Sequence, residues 1–399
     1  MHHKLPTKYF DFICVANHLT TSMITAPLNA GEILSKCNES KNIQSCYDAN
    51  KDIFDKLEID FHQAVEISTL LQNNIWFKYF VETLDVDLGW IDFEKEIASV
   101  IESLDISISN KNELVSTKYF LSSFILKHFG FFIDFDEESS IYQGGEYYIQ
   151  DEYLREYIHN SKIFVADKKK IFEELYSQLL KFSKALNIYL ECFVEKALDL
   201  MRSNDCFNKY QIELIKQADN CISFNYTSTL EKIYFSKNVY HVHGTIKNKN
   251  IVLGVNANAN DDVGTNNTSL LKFKKYYQRE ILGTDREYID WYRETMPLKQ
   301  EYRVVVIGHS LDETDKDILS DVLMNAKEIF ITYYDDNCRD AYIENIVKIF
   351  GQTGFSGFKK DKNMKLIPLS DINDLKDVIT SDEIEWIAQW DSGGKMVIV

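Results

Sequence analysis

The chain changes its hydrophobic rhythm once, near residue 206. Before that point apolar residues recur every three or four positions; after it they gather in short runs. Ile171, Leu175, Leu179, Phe182, Leu186, Tyr189, Phe193, Ala197 and Leu200 form one sustained stripe with no breaker, which predicts a single long helix. The segment "WIDFEKEIASVIESL" puts Phe93, Ile97, Val100, Ile101 and Leu104 on one face. Asp92 is placed to cap it, and Glu94 sits in the first turn, where the helix dipole favours negative charge. Tyr9, Phe12 and Val15 keep helical spacing near the start. Beyond residue 206, "CISFNY" (221–226), "VYHVHG" (239–244), "IVLGV" (251–255), "RVVVIG" (303–308), "IFITYY" (329–334) and "KLIPL" (365–369) read as strands. Helices fit over 270–282, 312–326 and 339–350. Strands alternating with helices predict an α/β fold with a mostly parallel sheet covered on both faces. The texture divides the chain into 1–30, a helical 31–205 and an α/β 206–399, with 256–268 a polar loop and no internal repeat.

Composition narrows the functional classes. At 399 residues the chain can bury a large core, and a charged fraction of 27% with a hydrophobic fraction of 45% is ordinary for a folded protein. A net charge of −18 argues against nucleic acid as the main partner, since phosphate binding needs a basic face. No apolar run is long enough for a bilayer, so the expected location is the cytoplasm. The 7 cysteines contain no C-x-x-C pair and read as free, mostly buried thiols of a reducing compartment.

Open parallel sheets bind ligands at the carboxyl ends of their strands, and three predicted strands end in residues able to do chemistry: Asn225, His243 and Ser310. The turn Gly308-His309-Ser310-Leu311-Asp312 looks like a nucleophile elbow but is not one. The elbow needs glycine at the position of Asp312, and no histidine follows His309 to complete a triad. What remains is a strand-to-helix turn whose amides could approach a phosphate or ribose, or a plain helix cap. In "SFNYTSTLEK" Asn225 ends a strand, Thr227 or Ser228 can cap the next helix, and Glu231 reads as a first-turn residue with no chemistry. In "YHVHGT" alternation puts His241 and His243 on one face. They could ligate a metal, or supply one core histidine and one base, with Gly244 allowing close approach. No further ligands accompany them, so no metal is expected. "KFKKYYQR" (272–279) reads as a solvated basic face.

Taken together, "KLPTKYFDF", "NNIWFKYF" (73–80), "GWIDFEKEI" (89–97), "FNYTSTLEKIY" (224–234), "HVHG" (241–244) and "IGHSLDETDKDIL" (307–319) resemble the abortive infection AbiH family of phage-defence proteins. That family in turn is similar to the sirtuin-type NAD-binding (Rossmann-type) fold, with "LPTKYFDF", "SFNYT", "HVHG" and "GHS" matching its successive motifs. The resemblance implies catalytic roles for Asn225, which would place water and ribose, and His243, the base at the ribose. It implies NAD contacts from Pro6, Thr7, Tyr9, Thr227, Gly244, Gly308 and Ser310. It also makes 1–30 part of the α/β domain, 31–205 a large helical insertion, and a first strand with its glycine turn missing from the sheet's interior. Thr227 stands where sirtuins carry the aspartate that grips nicotinamide, and the sirtuin zinc module is absent. Hydrolysis of the nicotinamide–ribose bond is therefore expected, not deacylation. Asp92 and Glu94 are further electrostatic candidates. A nucleotide ligand, a phage-borne trigger and a homo-oligomer are the expected partners. The rival readings are a non-catalytic nucleotide sensor and a metal-dependent hydrolase or nuclease using His241 and His243.

Overall fold

A computed structural model describes residues 5–83, 93–109, 132–134, 147–149, 153–156, 164–203, 215, 218, 220–236, 238–255, 268–295, 302–361, 364–369 and 395–398. By internal contacts the chain forms two compact units, one containing Lys4–Val194 with Val252–Gln278, the other Glu195–Ile251 with Arg279–Val399. These lines run elsewhere than the sequence divisions at 30 and 205. Residues 5–30 group with the helices because Phe12 packs its ring on Phe182 and Tyr189, both centroids 5.3 Å away.

The helical unit is built on α1 (Tyr9–Thr21), α2 (Phe61–Leu71), α3 (Ile75–Thr83), α4 (Phe93–Ser109) and α5 (Lys168–Leu190). The stripe predicted for α5 is its buried face: Ile171, Leu175, Leu179, Phe182, Leu186 and Tyr189 are all buried. The helix is not uniform to residue 200, however. A π-helical turn, Glu191–Glu195, separates α5 from a helix over Lys196–Ser203, and lets three consecutive residues, Cys192, Phe193 and Val194, all be buried. Asp11 of α1 is wholly buried and accepts from Ser40 Oγ at 2.9 Å and Asn42 Nδ2 at 2.6 Å, which ties the start of α1 to the start of the helix over Lys41–Ala49. The region expected to be helical also contains three short antiparallel pairs, Leu28–Asn29 with Glu58–Ile59, Phe132–Asp134 with Tyr147–Ile149, and Leu154–Glu156 with Phe164–Ala166.

Two readings of this part are corrected. Residues 251–255 are no strand of the main sheet. The Gln278 amide satisfies both backbone groups of Leu253 at 3.0 Å, and Val255 makes one isolated bridge to Lys274. Nor is "KFKKYYQR" a solvated face: Lys275 is 3% exposed and its ammonium meets Glu94 at 2.8 Å. Asp92, the other acid of that pair, lies outside the described residues.

The second unit is the α/β one. Its elements are β1 (Asn220–Ser223), α6 (Thr229–Ile233), β2 (Val239–His241), α7 (Thr284–Thr295), β3 (Tyr302–Val306), α8 (Lys316–Asn325), β4 (Glu328–Tyr333), α9 (Asp336–Asp361), β5 (Lys365–Pro368) and β6 (Lys395–Ile398). Helix α9 breaks its helical geometry at Gly351, where φ is 74°. The strands form one six-stranded sheet in the order β5-β4-β3-β6-β1-β2, and all its neighbours run parallel. Val304, Val306, Ile222, Ile329 and Ile331 pack with Ile318, Leu319 and Val322 of α8 to make its core. The apolar runs therefore behave as strands buried on both faces. The sequence reading missed β6. It lies inside the sheet, with Ile398 level with both Cys221 and Val305, so among the described residues β6 occupies the interior position between β1 and β3. Burial pushes the thiols of Cys37 and Cys221 up to about 12 and about 11, in keeping with packing roles. Among the described residues no helix is long and apolar enough to cross a membrane.

Candidate functional site

The connections run in opposite directions on the two sides of β6. β1 is followed by β2 on one side, whereas β3 is followed by β4 and β5 on the other. The turns above such a reversal splay apart and leave a crevice at the strands' carboxyl ends. In the α/β unit the residues beyond these ends come from three strands, β1, β2 and β3.

Phe224 follows β1 directly. Its ring centroid is 4.1 Å from that of His309, which follows β3, and 5.6 Å from that of His243, which follows β2. Between the two histidines stands Asp315, 6% exposed, at the end of a one-turn 3-10 helix (Glu313–Asp315). Its Oδ1 is 3.0 Å from Nε2 of His243, and its Oδ2 is 3.4 Å from Nε2 of His309. Nδ1 of His309 accepts from the Leu311 N–H at 2.9 Å. Sequence reasoning passed over both His309 as a participant and Asp315. The segment that joins them is a turn and a 3-10 helix, which no apolar periodicity marks, and only the folded turn brings them together.

His241 points elsewhere. Its Nδ1–H donates to the Asn225 carbonyl at 2.8 Å, and Nε2 meets Glu231 Oε1 at 2.8 Å. Burial pulls its pKa down, but the hydrogen bond and charge of Glu231 and the Asn225 carbonyl outweigh this and leave it raised. Glu231 is thus more than a first-turn residue, because its carboxylate and the imidazolium clamp the turn that carries Asn225. A raised pKa means that the folded chain holds this proton more tightly than the unfolded chain. The clamp then contributes fully below the ordinary histidine value of about 6.5, and its contribution is lost as pH rises through the raised value. Melting curves across this interval should fall more steeply for the wild type than for Glu231→Gln; parallel curves would refute the clamp.

The same turn is tied down from a second side. Glu195 accepts from the Ser228 N–H at 2.6 Å and pairs with Lys232 at 2.7 Å. The expected capping role of Thr227 or Ser228 is not seen: no side-chain cap bond forms at the start of α6, and the Thr227 hydroxyl faces that of Thr229 at 2.9 Å. Asn225 itself is exposed.

Gly244 has φ +77°, and a Cβ there would lie 2.1 Å from the Asn250 carbonyl oxygen, so the close approach that demands glycine comes from its own turn. Gly308 (φ 71°) and Ser310 are exposed at the end of β3, and the Ser310 carbonyl accepts from Asn345 at 3.0 Å. Pro6, Thr7 and Tyr9 belong to the helical unit. There the Pro6 carbonyl accepts from the Tyr189 hydroxyl at 2.8 Å, and Tyr9 stacks on Phe93 at 4.2 Å. Among the described residues no group of three or more His, Cys, Asp or Glu is placed to hold a metal ion, and His241 and His243 engage different carboxylates.

No curated protein and no solved structure matches the chain. Residues 1–335 match the family model described as bacteriophage abortive infection AbiH, and the chain belongs to that family.

Proposed function

We propose that this abortive-infection protein binds NAD or a related nucleotide at the strand ends of its α/β unit, read as sirtuin-like, and hydrolyses the nicotinamide–ribose bond. The observation that carries the reading is the His243–Asp315 contact at the point where the sheet's connections reverse, with the exposed Asn225 at the end of the neighbouring β1. Cleavage of such a bond passes through an oxocarbenium-like state, as glycoside hydrolysis does, and needs a placed water and a nearby base more than a strong nucleophile. As the bond from C1′ to the ring nitrogen breaks, its electron pair goes to nicotinamide and cancels the ring's positive charge. Water oriented by Asn225 bonds C1′, and the proton it loses passes to His243. The Asp315 carboxylate offsets the charge that the imidazole gains. Nδ1 of His243 is buried, with the rings of Phe224 and Tyr226 beside it, so this reading requires those side chains to give way when substrate enters. Ser310 serves at most as a ligand contact.

Phage challenge of cells carrying single variants tests this reading. Asn225→Ala and His243→Ala are expected to abolish protection while the protein accumulates normally, and Ser310→Ala to retain it. Full protection by a well-folded His243→Ala chain would remove the assignment. A covalent adduct on Ser310, with protection lost in Ser310→Ala, would restore the nucleophile that the missing triad excludes.

A further inference from the structure

The donors and acceptors around Asp315 leave little freedom for the ring protons. Leu311 is fully buried and left-handed, with φ 54°, a conformation that side chains other than glycine's adopt only under constraint. It aims the Leu311 N–H at Nδ1 of His309, 2.9 Å away. A nitrogen that accepts this bond carries no proton, so the ring proton of His309 sits on Nε2, facing Oδ2 of Asp315 at 3.4 Å. The other carboxylate oxygen lies 3.0 Å from Nε2 of His243. A carboxylate oxygen that accepts at this contact needs a proton on Nε2 of His243, which in the neutral ring leaves the lone pair on Nδ1.

We infer that Asp315 and His309 are positioning residues that select the tautomer of His243, making Nδ1 the atom that takes the proton; the catalytic part of this rests on reading His243 as the base. His309 fixes one edge of the carboxylate, and the other edge then fixes His243. The inference makes an unequal demand on the two histidines when Asp315 becomes asparagine. His309 cannot change, because Leu311 still donates to its Nδ1, so the asparagine must turn its oxygen toward His309. Its NH2 group then faces His243, whose Nε2 must accept, and the proton of His243 moves to Nδ1. The side chain keeps its size while the basic nitrogen is reversed.

Ring-nitrogen NMR on the full chain labelled with 15N-histidine reads this directly. Spectra would be taken at about pH 8, above the ordinary histidine range, with His243→Gln and His309→Gln chains assigning the signals. Both histidines are expected as Nε2–H tautomers in the wild type. In Asp315→Asn His243 should become the Nδ1–H form while His309 stays unchanged. A proton on Nδ1 of His243 in the wild type overturns the inference, as does an unchanged His243 in a folded Asp315→Asn chain. If that variant does not fold, the wild-type spectrum decides alone. In NAD cleavage, Asp315→Asn should lower kcat by about a hundredfold or more with little change in KM. His309→Gln, which keeps a donor near the position of Nε2, should retain more activity than His309→Ala; equal loss in both counts against positioning. If the wild type cleaves no nucleotide, the spectra still decide the tautomer, and it is the reading of His243 as base that has failed.

Discussion

Replacing His243 with alanine is expected to slow NAD cleavage by about a hundredfold to ten-thousandfold, equivalent to about 3–5 kcal/mol of transition-state stabilisation. The loss should fall on kcat, since the imidazole takes its proton only as the bond breaks. The matching control is His241→Gln. This removes a histidine two residues away whose partners, Asn225 and Glu231, belong to the turn clamp, so its first effect should be on stability and its pH dependence. If both variants lose activity equally at a temperature where both are folded, the division of labour between the two histidines is wrong. Steady-state release of nicotinamide, with circular dichroism on the same samples, separates these outcomes.

Trp76→Ala is expected to destabilise the helical unit by about 3–5 kcal/mol, the usual range for removing a large buried aromatic. Trp76 is fully buried, its indole N–H donates to the Leu175 carbonyl of α5 at 2.9 Å, and its ring lies against Phe80 with centroids 6.1 Å apart. Phe80 in turn stacks on Phe93 at 4.2 Å and meets Phe182 at 5.4 Å, so the cavity would open inside a continuous aromatic cluster joining α3, α4 and α5. Leu180, 48% exposed on α5, provides the contrast, and Leu180→Ala should change stability by no more than about 0.5 kcal/mol. Urea midpoints for both variants check the pair. A Trp76→Ala midpoint indistinguishable from that of Leu180→Ala would mean that the cluster does not hold this unit together.

What the sequence revealed and what it hid follow from the range over which each signal acts. The α5 stripe is readable because helical periodicity is local, and one buried residue every three or four positions repeats over many turns. Strands β1, β3 and β4 are readable as apolar runs. Strand β6 is not, because "KMVI" is four residues long and its place between β1 and β3 depends on pairing with segments far away in the chain. Asn225 and His243 stand out by their places at strand ends. Asp315 does not, although it stands within "GHSLDETD", since only the left-handed turn at Leu311 swings His309 back over it. "KFKKYYQR" misleads for a related reason: sequence displays a charge but not its distant partner. Glu94 meets Lys275, and Asp285 meets Arg279 at 2.8 Å, across separations that no local pattern encodes.

Cleavage of the nicotinamide–ribose bond by this chain can be measured directly. Purified wild-type protein and the His243→Ala variant are each incubated with NAD, alone and with extract from phage-infected cells as a source of trigger, and free nicotinamide is quantified by chromatography. Nicotinamide and ADP-ribose are expected in equal amounts from the wild type, with little of either from the variant. NAD left intact by a folded wild-type chain under both conditions, or cleaved equally by the His243→Ala chain, would contradict the proposed activity.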